Sequence, residues 1–171
     1  ICGAPTAVVN LIDDTHQHQV AAHGFARAVC DREDSMCAVS IGLPEPVYVQ
    51  DARLDVRWAD NPFVTGVIGN VRFYSSTQLV SPRGEVLGTL CVFDEQVREI
   101  TPEQRTQLEL LAHQVVDVLE LRRQSFELQT AIDQLERTRE ELIRSNEHLA
   151  AFAGQVSHDL KNPLASVVGY L

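Results

Sequence analysis

The spacing of apolar residues changes character near residue 100. Before it, short apolar runs are cut by polar turns; after it, apolar residues recur at three- and four-residue steps. Residues 7–13 (AVVNLID) are apolar and β-branched and end in Asp13-Asp14, a turn signal. Residues 17–23 (QHQVAAH) form a second run closed by Gly24, so the pair predicts a hairpin. Residues 47–49 predict a short strand between prolines and Asp51. Residues 72–80 and 85–93 flank Ser81-Pro82-Arg83-Gly84 and predict a second hairpin. Residues 32–41 and 58–66, between the hairpins, read as short helices and loops. The order of strand, strand, helical insert, strand, strand and long helix predicts an α+β fold on an antiparallel sheet.

A long helix is expected from Thr101. Thr101 caps it, Pro102 suits the first helical position, Glu103 suits the macrodipole, and Gln104 completes a T-x-x-Q capping box. Leu108, Leu111, Val115 and Val118 then form a stripe expected to pack on the sheet. A second stripe starts at Leu121: Leu121, Leu128, Leu135, Leu142, Leu149 and Val156 are spaced seven apart. With these as d positions, Ser125, Ile132, Arg139, Asn146 and Ala153 fall at a. The leucine repeat favours a coiled coil; Asn146 favours two strands in register, and Arg139 costs stability. The step from Val118 to Leu121 is three where four is expected, which predicts a stammer that overwinds the coil locally.

Composition narrows the function. The chain has 171 residues, 44% of them hydrophobic, so a buried core is expected. Its net charge of −10 argues against a nucleic-acid binder and against contact with anionic membrane. No apolar run is long enough to span a bilayer, and no basic segment precedes an apolar one as in a secretory signal. The cysteines Cys2, Cys30, Cys37 and Cys91 show no zinc-ligand spacing and read as reduced, mostly buried thiols of a cytoplasmic protein. Cys30 and Cys37, were they on one helix, would lie about 10 Å apart along its axis, too far for a disulfide.

The strongest local signal is Ser157-His158-Asp159-Leu160-Lys161-Asn162-Pro163-Leu164. In the heptad frame His158 sits at f, away from the seam, while Leu160 and Val167 stay on it at a. Phe152 at g and Leu164 at e widen the stripe, which suits a four-helix bundle whose second helix lies beyond residue 171. Pro163 removes a donor and clashes with the Asp159 carbonyl, so a kink is expected one turn beyond His158.

SHDLKNPL resembles the H-box of sensor histidine kinases, and the heptads before it resemble their signalling helix. The resemblance implies that His158 accepts the γ-phosphate of ATP and passes it to an aspartate on a response regulator. Imidazole chemistry suits this role, since the neutral ring offers a lone pair near neutral pH and splits the transfer into two steps. The same resemblance makes Asp159 the base or orienter of the histidine. It makes Asn162 the residue that aligns water for dephosphorylating the regulator, and Lys161, the chain's only lysine, a partner for the transferred phosphate. Asn162 lies four residues after His158, on the same helical face.

Residues 1–120 resemble a GAF domain of the kind that precedes bacterial histidine kinases. The segments that carry this are AVVNLIDD, SMCAVSI, PVYVQDARLDVRWADNPFVTG, VRFYSSTQLVSPRGEVLGTLCVFD and the TPEQ-led helix. The resemblance implies an antiparallel sheet with helices on one face and a pocket on the other. It also implies a further helix before the first strand, of which residues 1–5 look like the end. Cys37 is followed by Ala38, not the His of bilin-attachment sites, and the Asn-Lys-Phe-Asp-Glu motif of cyclic-nucleotide GAF domains is absent. Tyr74-Ser75-Ser76 departs from the Tyr-Ala-Gly pattern of close relatives. Haem would need an axial ligand such as His; His16 and His18 fall on one strand face, but with His23 they read as solvated. Trp58, Phe63 and Phe73 are candidates for core or pocket wall.

The expectation is therefore a GAF sensor domain over 1–120, a coiled-coil signalling helix over 121–151, and the start of a dimerisation and phosphotransfer bundle over 152–171. The parent would be an ATP- and Mg-dependent protein-histidine kinase. This chain, without the ATP-binding domain, would hold no nucleotide and be inactive alone. The expected partners are a second copy through residues 121–171, the kinase's own ATP-binding domain and a receiver domain. The ligand of the GAF pocket stays unassigned. Rival readings are a non-catalytic GAF ligand-binding or dimerisation module, and a chromophore- or haem-binding GAF sensor.

Overall fold

The computed structural model describes residues 2–168, with the backbone alone for 162–168. It divides into two compact units, residues 1–121 and 122–171.

The first unit is built on one antiparallel sheet. The first hairpin joins β1 (Thr6–Ile12) to β2 (His16–His23), and Asp13 closes it: its Oδ1 accepts from the Thr15 and His16 amides, each at 2.7 Å. Ile12 pairs with Gln17, and a bulge between Val9 and Asn10 shifts the register further along. The second hairpin joins β5 (Phe73–Val80) to β6 (Val86–Asp94) across the expected Ser81–Gly84 turn. β4 (Val47–Val49) edges β5. A strand not expected from the pattern, β3 (Val29–Asp31), edges β2. The order is β3-β2-β1-β6-β5-β4, so the two hairpins meet at β1 and β6 in mid-sheet. Gly88 is required at that seam: a Cβ there would come within 1.9 Å of the Asn10 carbonyl oxygen.

Three short helical turns connect β3 to β5: α1 (Met36–Ser40), a 3-10 turn at Ala52–Leu54, and α2 (Pro62–Thr65). Ser35 caps α1 and Asn61 caps α2, each side-chain oxygen accepting an amide of the first turn. Cys30 lies on β3 and Cys37 on α1, so the two do not share a helix.

Strand alternation divides the core between the two faces of the sheet. Phe73, Leu79, Leu90 and Val92 face the start of α3 (Pro102–Val168) and pack with Leu108, Ala112 and Val116. Val8, Tyr74 and Cys91 face the other way, onto Met36 and Cys37 of α1 and onto Trp58 and Val64. Trp58 is 0% exposed, and its indole N–H donates to the Met36 carbonyl at 3.1 Å.

The capping box at Thr101 forms as expected: Gln104 N donates to Thr101 Oγ1 at 3.3 Å, and Thr101 N donates to Gln104 Oε1 at 2.9 Å. The sheet-facing stripe differs from the one expected. Leu108, Leu111 and Val115 belong to it, but Val118 is exposed, and Ala112, Val116 and Leu119 take part instead. Ala112 is 1% exposed in this stripe, and a small residue there lets the helix lie close on the sheet. With Val118 outside the stripe, the stammer expected between Val118 and Leu121 loses its first member.

Among the described residues of the second unit α3 is the sole element. Every side chain from Leu121 to Lys161 is exposed. Arg123 and Glu127, and Arg144 and Glu140 at 3.3 Å, pair at four-residue spacing along this stretch. Among the described residues no helix is long and apolar enough to cross a membrane.

Candidate functional site

Two places carry chemistry, one in each unit. The first is a cavity of about 650 Å³ on the sheet face opposite α3. Its apolar wall includes Phe25, Phe63 and Phe93, and its polar wall includes Gln17, Gln19 and Asp94. The Phe25 and Phe93 rings lie 5.8 Å apart. Of the three aromatic candidates, only Phe63 lines this cavity. Trp58 is core beneath it, against Tyr74 at 5.4 Å between ring centroids, and Phe73 points to the α3 side.

Asp94 is anchored at the rim. Its carboxylate accepts from Arg98 Nε and, at 3.0 Å, from the Gln96 amide. His16, His18 and His23 lie on β2, exposed and away from the cavity wall. His18 Nε2 sits 2.8 Å from Asp13 Oδ2, which ties it to the hairpin turn.

The floor of the cavity holds a polar cluster that the sequence pattern did not reveal. Cys37 of α1 and Cys91 of β6 bring their sulfurs to 3.6 Å. Asn10 Nδ2, from β1, lies 3.3 Å from Cys37 Sγ and 3.4 Å from Cys91 Sγ. Tyr74 OH donates to Cys37 Sγ at 3.2 Å and also meets Ser40 Oγ at 3.0 Å. The hydrogen bond with Cys91 lowers the Cys37 thiol from its ordinary value against the effect of burial, helped by Thr89, Tyr74 and Asn10. The same bond, with burial, pushes Cys91 up. No sequence signal joins positions 54 residues apart. Only the outward alternation of Cys91 on its strand hinted that it shares a face with Tyr74.

The second place is the SHDLKNPL segment on α3. His158, Asp159 and Lys161 are exposed, and Asn162 lies outside the residues whose side chains are described, as do Pro163, Leu164 and Val167. The His158 side chain is 77% exposed, and its Nδ1 lies 3.3 Å from Asp159 Oδ1. Neighbouring helical residues do not ordinarily face each other. Here both side chains bend toward the same stretch of solvent and meet. In the tautomer that carries its proton on Nδ1, facing this carboxylate, the lone pair lies on Nε2.

A relative is found in a cyclic di-GMP phosphodiesterase of Pseudomonas aeruginosa, 39% identical over 95 residues, or 55% of this chain. The chain spans only 16% of that protein. Among solved structures, the GAF domain of a phosphoenolpyruvate-protein phosphotransferase from Coxiella burnetii matches with a TM-score of 0.60 at 15% identity, covering 72% of this chain and 76% of that one. A domain assigned to a two-component sensor histidine kinase from Sinorhizobium meliloti matches with a TM-score of 0.53 at 14% identity, covering 74% of this chain and 86% of that one. At these identities the structures establish the shared fold. The sequence model of the GAF domain matches residues 1–120, the stretch that forms the six-stranded sheet, its cavity and the packed start of α3, and the chain belongs to the GAF domain family.

Proposed function

We propose that this chain is the sensory and phosphoacceptor part of a two-component sensor histidine kinase. In this reading a signal at the GAF cavity passes along a parallel, dimeric coiled coil and controls phosphorylation of His158. The observation that carries it is a solvent-facing His158, paired with Asp159, in an H-box-like segment that continues a leucine heptad.

The helical stretch supports a second copy of this chain as its partner. Leu121, Leu128, Leu135, Leu142 and Leu149 are each at least 60% exposed in the single chain. A heptad of exposed leucines is stable in water only when a like stripe covers it. Residues 121–151 then form the signalling coil and 152–171 the start of the dimerisation bundle. Arg139 and Asn146 at a positions keep the seam marginal, so two packings of similar energy are available to a signal.

The chemistry follows from the outward imidazole. The kinase's own ATP-binding domain presents the nucleotide with Mg. His158 Nε2 attacks the γ-phosphorus, an N–P bond forms as the bond to the bridging oxygen breaks, and ADP leaves. Asp159 holds the Nδ1 proton and balances the positive charge on the ring. Lys161, about one turn away and also exposed, steadies the phosphoryl oxygens in this reading. Asn162 carries the family's role in positioning water when the regulator is dephosphorylated. The phosphoryl group then moves to an aspartate of the receiver domain.

The decisive experiment mixes this chain with the separately produced ATP-binding domain of its parent and labelled ATP. Acid-labile label on the chain, lost in His158→Ala, is expected; label in neither overturns the reading. Asp159→Asn is expected to slow labelling about a hundredfold. The similarity to a cyclic di-GMP phosphodiesterase favours a second reading, in which the same GAF module serves a different output and the H-box is vestigial. Absence of label in the experiment above, with a dimer intact, supports it.

A further inference from the structure

The cysteine cluster at the cavity floor is used by neither reading. We propose that Cys37 and Cys91 form a reversible dithiol–disulfide pair that senses a small hydroperoxide entering the GAF cavity. Four observations lead here. Both sulfurs are buried yet both residues line the cavity, which gives a small oxidant a route to them. They are 3.6 Å apart on different elements, β6 and α1, so the sulfurs must approach by about 1.5 Å to reach the S–S distance of about 2.05 Å. Asn10 Nδ2 lies within reach of both sulfurs, but Tyr74 OH donates to Cys37 Sγ at 3.2 Å, and this additional donor favours the Cys37 thiolate over that of its neighbour. Asn10 Oδ1, on the amide that touches both sulfurs, is buried without a partner, and a sulfenic acid formed on Cys37 would supply an O–H for it.

The roles follow from the asymmetry. Cys37, the better stabilised thiolate, is the nucleophile, and Cys91, which keeps its proton, is the resolving thiol. Cys37 sulfur attacks the terminal peroxide oxygen. The S–O bond forms as the O–O bond breaks, and the leaving alkoxide takes up the proton that Cys37 released, giving an alcohol. Cys91 sulfur then attacks Cys37 sulfur and water leaves with the Cys91 proton. Two thiols lose two electrons in all, and the O–O bond gains them. The product bond staples α1 to β6 across the cavity floor, which changes the shape the cavity offers.

The test uses the whole chain with Cys2→Ser and Cys30→Ser, so that the half-buried thiols cannot contribute. Stoichiometric hydrogen peroxide is expected to lower the intact mass by about 2 Da and to yield a linked Cys37–Cys91 peptide, both reversed by dithiothreitol. Adding Cys91→Ser is expected to trap a dimedone adduct on Cys37. Adding Tyr74→Phe, which keeps the ring and removes one donor, is expected to slow disulfide formation about tenfold with the circular dichroism unchanged. A chain left at its reduced mass overturns the proposal. So does oxygen added to Cys37 without a linked peptide, or a Tyr74→Phe rate equal to the parent's.

Discussion

The two units of this chain treat apolar surface in opposite ways. Residues 1–121 bury it: Trp58, Tyr74, Phe73 and Leu79 are enclosed on both faces of one sheet. From Leu121 to Lys161 nothing is buried, although the stretch carries leucine at every seventh position from 121 to 149. The difference is one of geometry. A sheet closed by helices on both faces completes its own core, whereas a lone helix has an apolar stripe and no second layer to set it against. The first unit is therefore equipped to hold a fold and a cavity by itself, and the second leaves its stripe uncovered within the single chain.

The comparison is broken most severely from the sheet side. Trp58→Ala removes the fully buried indole and its bond to Met36, and is expected to cost about 3–5 kcal/mol, read as a lowered midpoint in urea. Leu135→Ala and Leu142→Ala test the other side. Each is expected to weaken the paired helix by about 2 kcal/mol, so that sedimentation moves toward monomer while the melting of the sheet unit stays in place. Equal loss in both units would mean that they fold as one.

The contrast is sharpened by filling the seam. Arg139→Ile with Asn146→Ile is expected to raise the melting temperature of the helical unit and, under the proposed function, to hold the full-length protein's output at one level whatever the signal. A response identical to the parent's would remove the seam from the signalling path. Tyr48→Phe is a smaller probe of the sheet unit: it deletes the bond from Tyr48 OH to Glu109 Oε1 at 2.7 Å and is expected to cost about 1 kcal/mol.

The smallest effect is on pH. The His16 and Thr15 amides, together with His18, hold the Asp13 carboxyl well below the usual carboxylate range. A lowered folded value means that its contribution is complete above the unfolded value of about 3.9 and is lost as pH falls toward the folded one. Hydrogen exchange in the β1–β2 hairpin is expected to quicken below about pH 4. In Asp13→Ala that acid step should vanish.

Much of this architecture is legible along the chain, and the failures are specific. Both hairpins announce themselves, because Asp13-Asp14 and Ser81–Gly84 interrupt alternating runs. The start of α3 does too, because its capping signals are local. β3 passes unnoticed since three residues, Val29–Asp31, are too few to show a period, and their pairing is supplied by β2. The sheet-facing stripe is shifted from Val118 to Ala112, Val116 and Leu119, because the helix packs where the sheet lets it approach, not where its largest apolar residues lie.

The sequence by itself determined what depends on neighbours in the chain: turns, caps, the heptad, and the run from Ser157 to Leu164 with its outward histidine. Tertiary structure alone decided what depends on distant segments meeting. Cys37, Cys91, Asn10 and Tyr74 come from four separate elements, and only the β1–β6 seam and the seat of α1 bring them within hydrogen-bond reach. Periodicity records which way a side chain points; it holds no record of which other side chain will be waiting there.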